Sequence, residues 1–526
     1  MEKKYITTSI AYVNAQPHIG YALELVQADV LARWYRLQGH DTWFLTGTDE
    51  HGSKISKLAE EEGVEPKVIA DRNSELFAAL KPILNISNDD FIRTSDQERH
   101  WPGAQALWRQ LVAAGDIYKS TYTGLYCVGC EAFITEKDLV EGKCPYHHKE
   151  LDKIEEDNYF FKLSKYAKKI ASAIKSKELE IIPENRAKET LNMLADAVDI
   201  SFSRPKSKLS WGVPVPDDPD QTMYVWCDAL SNYISAIGYG RKDAHPTQPP
   251  LAKGRGEEDG YAKDEAKFNK WWPADVHCLG KDIMRFHTVI WPGMLLSAGL
   301  PLPKQILVHG FITSDGQKMS KSIGNVVDPT EAMKKYGADM VRYYLLREIP
   351  TMDDGDFSWK RFDDLYNNEL ADNLGNLLSR VVQMAKNFTG GAVPKITTEP
   401  APTTIAVIAG YEELINKFEL QKALILVNQY IGELNALVDA EKPWELAKQN
   451  DQENLEKVMY QLLEGLRIVA LLLAPFLPAT AEKISATLGL FGLSTITNWS
   501  EEAIWGRLPA ETLIGETPIL FPKEPR

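Results

Sequence analysis

The chain has 526 residues, 44% of them hydrophobic and 25% charged, which supports about three or four domains' worth of buried core and excludes wholesale disorder. Fifty-nine basic residues against 74 acidic ones leave a net charge of −15. That balance disfavours a protein coated with DNA, but does not exclude a nucleic-acid partner held by a local basic patch.

The N-terminus, Met1-Glu2-Lys3-Lys4, carries no secretory signal. Lys4 to Ile10 is rich in β-branched and aromatic residues and predicts a strand. A loop with Asn14 and Pro17 follows. Ala22 to Leu37 then predicts a helix, with Leu23, Val26, Val30 and Trp34 at helical spacing and Gly39 as its stop. Thr42 to Thr46 predicts a second strand, so the unit is a βαβ crossover with parallel strands. Between strand and helix lies Pro17-His18-Ile19-Gly20-Tyr21. Backbone N–H groups at a helix start attract anions, His18 can donate to phosphate, and Gly20 permits close approach. On its own this is also what a surface histidine before a helix looks like.

Cys127-Val128-Gly129-Cys130 and Cys144-Pro145-Tyr146-His147 form C-x2-C-x13-C-x2-H. Three thiolates and an imidazole match tetrahedral zinc. Four protein ligands leave no open position, so this zinc is expected to be structural. His148 competes with His147 for the fourth place. Five cysteines in the whole chain are too few for a disulfide scaffold, and a reducing cytoplasm is expected. Cys227 and Cys278 read as packed thiols.

Gly240 to Lys270 is polar and reads as a surface loop. The βαβ pattern then returns: a strand over Val276 to Leu279, a helix over Ile283 to Ser297 stopped by Gly299, and a strand over Ile306 to Val308. Two such halves predict one nucleotide-binding parallel sheet split by an insertion. Lys318-Met319-Ser320-Lys321-Ser322, after the turn signal Asp315-Gly316, is a cationic loop suited to a triphosphate. Asp328-Pro329 reads as an N-cap with proline at the first helical position. From about Lys360 the pattern is all-helical, with repeats such as Leu424, Val427, Ile431, Leu434 and Val438. The longest apolar run, Ile468 to Ala479, is shorter than the about 18 residues a membrane span needs and holds Pro475 and Pro478.

The two loops together resemble the two signatures of class I aminoacyl-tRNA synthetases. The second matches at all five positions, and the first departs at Tyr21, where the family most often has His. Gly47-Thr48-Asp49-Glu50-His51-Gly52, Tyr224-Val225-Trp226-Cys227-Asp228-Ala229, Gly280-Lys281-Asp282-Ile283 and Val308-His309-Gly310 narrow the resemblance to methionyl-tRNA synthetases, from about Lys4 to the C-terminus. The resemblance implies a Rossmann-like α/β catalytic domain with a zinc-knuckle insertion, followed by an all-α helical bundle. It divides the chain into 1–115 and 226–325 (catalytic halves), 116–225 (insertion), 326–360 (a linking stem-contact region) and 361–526 (anticodon-binding bundle).

It also implies the site. His18, Gly20, Tyr21, Lys318 and Lys321 would be catalytic. His18, Gly20, Gly280, Asp282, His309, Gly310, Lys318, Met319, Ser320, Lys321 and Ser322 would hold ATP, accompanied by Mg²⁺. Asp49 would bind the methionine ammonium, and Ile10, Tyr12, Trp226, Tyr233, Ile283 and His287 would enclose the thioether. Sulfur packs well against aromatic rings, and a carboxylate suits an ammonium. Among the zinc ligands the resemblance favours His147. Asn376, Arg380 and Trp444 would read the anticodon of the methionine tRNA: amide, guanidinium and indole are groups that recognise splayed-out bases. No appended dimerising module follows, so a monomer is expected.

Overall fold

A computed structural model describes residues 1–127, 132–134, 139, 140, 142–145, 149–241, 264–314, 316–318, 327–490 and 492–523. Cys130, His147, His148, Met319, Ser320, Lys321 and Ser322 lie outside them.

The main sheet has six parallel strands: β1 (Lys3–Tyr12), β2 (Asp41–Asp49), β3 (Asp90–Arg93), β4 (Glu180–Ile182), β5 (Val276–Gly280) and β6 (Gln305–His309). Their order is β3-β2-β1-β5-β6-β4, so the chain winds outward in both directions from the β1/β5 pair. In such a sheet a ligand crevice forms at the carboxyl ends of the strands where the winding reverses. The split predicted from sequence is present, with one correction. β4 falls within the segment assigned to the insertion, yet it pairs with β6 at the sheet edge. The rest of that segment includes a separate sheet built on two long antiparallel strands, Ile117–Cys127 and Asp152–Phe161.

Helix α1 (Ile19–Leu37) starts three residues earlier than its apolar periodicity suggests. His18 is its N-cap, with an extended backbone, and its Nδ1 accepts from the Gly20 N–H at 3.1 Å. α1 is buried along nearly its whole length because the sheet covers one side and the helical half covers the other. Asp29, wholly buried, pairs with Arg33 at 2.8 Å and with Arg342, on the helix Ala338–Arg347, at 2.7 Å. The Arg342 guanidinium also donates to the carbonyls of Leu84, Pro475 and Phe476. Trp34 donates to Asn416 and meets Tyr411 and Trp499 edge-on.

Three further helices matter below: α2 (Trp101–Ala113), α3 (Val225–Leu230) and α4 (Ala338–Arg347). The continuous helix expected over Ile283 to Ser297 is broken. A tight turn at Lys281–Ile283 leads to a wide π-type turn at Phe286–Ile290, and only then to an α-helix, Trp291–Ser297. Pro292 has no N–H to give the preceding turn, and Thr288 Oγ1 bonds back to Met284 O at 2.9 Å, so the ladder widens there. Of the Gly240–Lys270 segment read as a loop, residues 242–263 lie outside the described residues, and residues 264–271 are helical. Asp328 caps Pro329–Tyr336 through the Thr330 N–H, as its sequence implies. The C-terminal half is a bundle with long helices at Pro402–Asn416, Leu420–Glu441 and Gln452–Leu473. Among the described residues, no helix is long and apolar enough to cross a membrane.

Candidate active site and nucleic-acid interface

Four sequence-predicted residues meet at the carboxyl rim of the sheet because strand register puts them there. Tyr12 pairs with Asp49 across β1 and β2, and Gly280 pairs with His309 across β5 and β6. A Cβ on Gly280 would come within 2.8 Å of Asp282 Oδ1 and 3.4 Å of His309 Cε1, so glycine is what lets these two groups converge. The N-terminus of α1 faces the same rim. His18 reaches the surface, yet desolvation pulls its pKa down while the Asp282 charge pulls it up. Gly310 closes on Asp353 and Asp354, where a Cβ would collide with backbone at 2.2 Å.

The platform is organised by a residue that sequence reasoning missed. Glu24, buried in the second turn of α1, accepts from the Ser9 N–H (2.7 Å) and Ser9 Oγ (2.6 Å). Its other oxygen meets the Gly280 N–H (3.1 Å) and His309 Nε2 (3.0 Å). One carboxylate thus ties β1, β5 and β6 to α1. Burial alone would lower the His309 pKa, but Glu24 outweighs it and the pKa is raised.

Tyr21 and Gly20 sit differently at this helix start. Tyr21 turns away from the rim: it is buried against Phe77, and its hydroxyl lies 3.2 Å from Thr46 Oγ1 and 3.5 Å from the Gly47 carbonyl. Three residues into the helix, that position faces the sheet rather than the crevice. Gly20, for its part, makes room for the His18 ring, since a Cβ there would meet it at 3.0 Å.

Of the residues expected to enclose the thioether, Tyr233, His287 and Ile283 are linked by hydrogen bonds. Tyr233 is buried, and its hydroxyl meets His287 Nε2 at 2.6 Å. His287 Nδ1 faces the Ile283 carbonyl at 3.0 Å, so it carries the proton and Nε2 accepts from Tyr233. Burial lowers the His287 pKa to about 4, which keeps the imidazole neutral at pH 7. Trp226 stacks on Phe286 with ring centroids 3.5 Å apart and 13° between planes. Phe286 is a second residue that sequence reasoning missed. A wall of neutral rings suits an uncharged, polarisable side chain.

Behind this wall is a buried cluster to whose members the sequence reading assigned no role. Asp228 Oδ2 lies 2.6 Å from His51 Nδ1, and Oδ1 lies 2.7 Å from His100 Nε2. Burial alone would raise the Asp228 pKa, but the two imidazoles outweigh it and hold it at about 2. Cys227 and Cys278 are buried thiols with raised pKa values, as packed cysteines should be.

The second signature is described only through Lys318, whose backbone pairs with Thr313 in a short antiparallel ladder. Beyond it, Val327 is the next described residue, and its carbonyl accepts from the Ile19 N–H at 3.2 Å. Val327 therefore docks on the residue after His18. In the insertion, Cys127 and Cys144 are both buried in one small cluster with Leu139 and Leu151, and the Cys144 N–H donates to the Lys149 carbonyl. Among the described residues, no group of three metal-ligating side chains stands together. In the bundle, Asn376 and Arg380 share one helix, Asn376–Phe388. Arg380 pairs with Asp439 at 2.6 Å, and Trp444, half-buried, opens the short helix Pro443–Lys448 just beyond.

A family model for class I tRNA synthetases (M) matches residues 4–155 and 149–382, and one for the anticodon-binding domain of tRNA ligases matches residues 404–514. The methionine–tRNA ligase of Caldanaerobacter subterraneus subsp. tengcongensis is 41% identical over 99% of this chain and 78% of its own length. The chain belongs to the methionyl-tRNA synthetases. The family's enzyme from Nostoc sp. is 40% identical over 98% of this chain and 96% of its own length. Among solved structures, Mycobacterium tuberculosis methionyl-tRNA synthetase in complex with methionyl-adenylate superposes with a TM-score of 0.88 at 37% identity, over 99% of this chain and 100% of that one. The apo form of the same enzyme gives a TM-score of 0.82 at 34% identity.

Proposed function

We propose that this chain is a methionine–tRNA ligase that activates methionine with ATP, releases pyrophosphate and transfers the methionyl group to the 3′-terminal adenosine of the methionine tRNA. The observation that supports this reading is the Ile19–Val327 bond, in which a residue that follows the second signature docks on the residue after His18. The methionine carboxylate attacks the α-phosphorus of ATP in line. It is ionised at neutral pH, so no strong base is required. The protein's task is to position the reactants and stabilise charge. Asp49 receives the ammonium, and Ile10, Tyr12, Trp226, Tyr233, Ile283 and His287 enclose the thioether. His18, the Gly280–Asp282 turn, His309, Gly310 and the Lys318–Ser322 loop receive the nucleotide. Mg²⁺ would accompany the ATP phosphates. Family likeness supports transfer to the 2′-hydroxyl. Methionine-dependent ATP–pyrophosphate exchange, screened across amino acids, tests the reading. Exchange driven by cysteine instead, or none at all, would replace it with a cysteinyl enzyme, a simple nucleotidylyltransferase or an RNA-binding relative.

The residue divisions given above remain our assignment, with β4 returned to the catalytic sheet. Asn376, Arg380 and Trp444 form the anticodon-reading corner. Trp444→Ala should leave methionine-dependent exchange within about twofold of normal and cut tRNA charging by about tenfold or more. Full charging in that variant would remove the anticodon role.

A structural zinc fits the insertion, because two buried thiols already share one cluster and the motif supplies a third thiol and an imidazole. Cys127, Cys130, Cys144 and His147 would hold it, and the ion would cross-link the loop. Metal analysis of protein purified without chelator should find about one zinc per chain. Cys144→Ser should lower that stoichiometry. A metal-free native chain would end the assignment. We place the enzyme in the cytoplasm as a monomer.

A further inference from the structure

We propose that Asp228 is a positioning residue that sets the distance between the two walls of the methionine pocket; this rests on the pocket reading above. Its partners sit on the segments that build those walls. His51 follows Asp49 by two residues, on the segment leaving β2. Asp228 follows Trp226 by two residues, on α3. The ammonium-binding wall and the aromatic wall are therefore joined through one contact, His51 Nδ1 to Asp228 Oδ2 at 2.6 Å. The second oxygen is held by His100 at 2.7 Å, and His100 immediately precedes α2. His100 Nδ1 in turn meets Ser235 Oγ at 2.9 Å.

The contact has the features of a brace. Asp228 and His100 are fully buried, and His51 is 2% exposed. An ionised carboxylate can only accept, so both imidazoles donate to it, and charge-assisted bonds of this kind are short and directional. α3 has six residues, too few to hold its own orientation, so its direction must come from side chains anchored elsewhere. The His51 ring is fixed in turn by Trp211 edge-on at 5.1 Å and by Trp101 at 6.1 Å. Trp211 Nε1 donates to the Glu50 carbonyl at 2.6 Å, which pins the same segment a second time. The Glu50 carboxylate, between Asp49 and His51, is held by Arg93 through two bonds, at 2.7 and 2.9 Å. Every neighbour of Asp49 on this segment is thus tied down, and the tie to the opposite wall runs through Asp228.

A brace acts on methionine binding rather than on ATP binding. In ATP–pyrophosphate exchange with the full chain, Asp228→Asn should raise KM for methionine by about tenfold and leave KM for ATP and kcat within about twofold. His51→Gln, which keeps the Asp228–His100 pair, should shift the same constant in the same direction. It carries the test alone if the Asp228→Asn variant does not fold. The double variant should be no worse than the more affected single one, because the residues act as a unit. Equal rises in both KM values, or an unchanged methionine KM in both single variants, overturn the proposal. Trp226→Ala is the control. If it leaves methionine KM unchanged, the pocket is misassigned and the brace falls with it. If it raises that KM while Asp228→Asn and His51→Gln do not, the pocket stands and the brace alone is wrong.

Discussion

Glu24→Gln is expected to destabilise the fold by about 2–4 kcal/mol and to lower kcat/KM for ATP by about tenfold or more. The carboxylate accepts four contacts, from the Ser9 N–H, Ser9 Oγ, the Gly280 N–H and His309 Nε2. A glutamine offers one oxygen and one NH₂ group. If its oxygen stays on Ser9, its NH₂ opposes the Gly280 N–H, and a buried donor is left unpaired. Gly280 and His309 lie at the rim assigned to the nucleotide, so the distortion should fall on ATP rather than on methionine. The loss has a pH signature. His309 has a raised pKa in the folded protein because the Glu24 contact outweighs burial. A group of that kind contributes its full stabilisation below its unfolded pKa, about 6.5, and loses it as pH rises through the folded value. The stability gap between the parent chain and Glu24→Gln should therefore be wider at pH 6 than at pH 8. Urea unfolding at the two pH values reads this directly, and a gap that is constant or widens with pH contradicts the ion-pair assignment.

Lys321→Ala should slow adenylate formation by roughly 10² or more, with methionine affinity little changed. Negative charge accumulates on the departing pyrophosphate as the carboxylate attacks. A lysine poised there stabilises the transition state more than the bound ground state, so kcat falls and KM for methionine does not. Val327, five residues beyond Ser322, is bonded to Ile19, the residue after His18. Single-turnover adenylate formation measures the effect. A normal rate would remove Lys321 from the chemistry.

What could be read from sequence follows from where each residue sits. His18 lies at a helix start that shows in hydrophobic patterning, whereas Asp49, Gly280 and His309 were named by the family resemblance and not by spacing. Glu24 did not show. An acid inside an amphipathic helix reads as solvent-facing until its partners are known, and Gly280 and His309 lie 256 and 285 residues away. Asp228, His51 and His100 were hidden for the same reason, with the three residues on separate elements. Phe286 was missed because helical spacing cannot foresee the wide turn before Pro292 that carries it. β4 escaped because three residues cannot display an alternation. Tyr21 was read by its place in a motif, whereas helix geometry turns it into the core.

The burial of α1 between the sheet and the helical half has a mechanical consequence. Asp29, Trp34 and Arg342 weld the bundle to the very helix whose first turn presents His18. Through that joint the bundle and the first turn of α1 share one frame, so a tRNA held at the proposed Arg380 corner would have to span a reach set by the protein before its acceptor end met the rim.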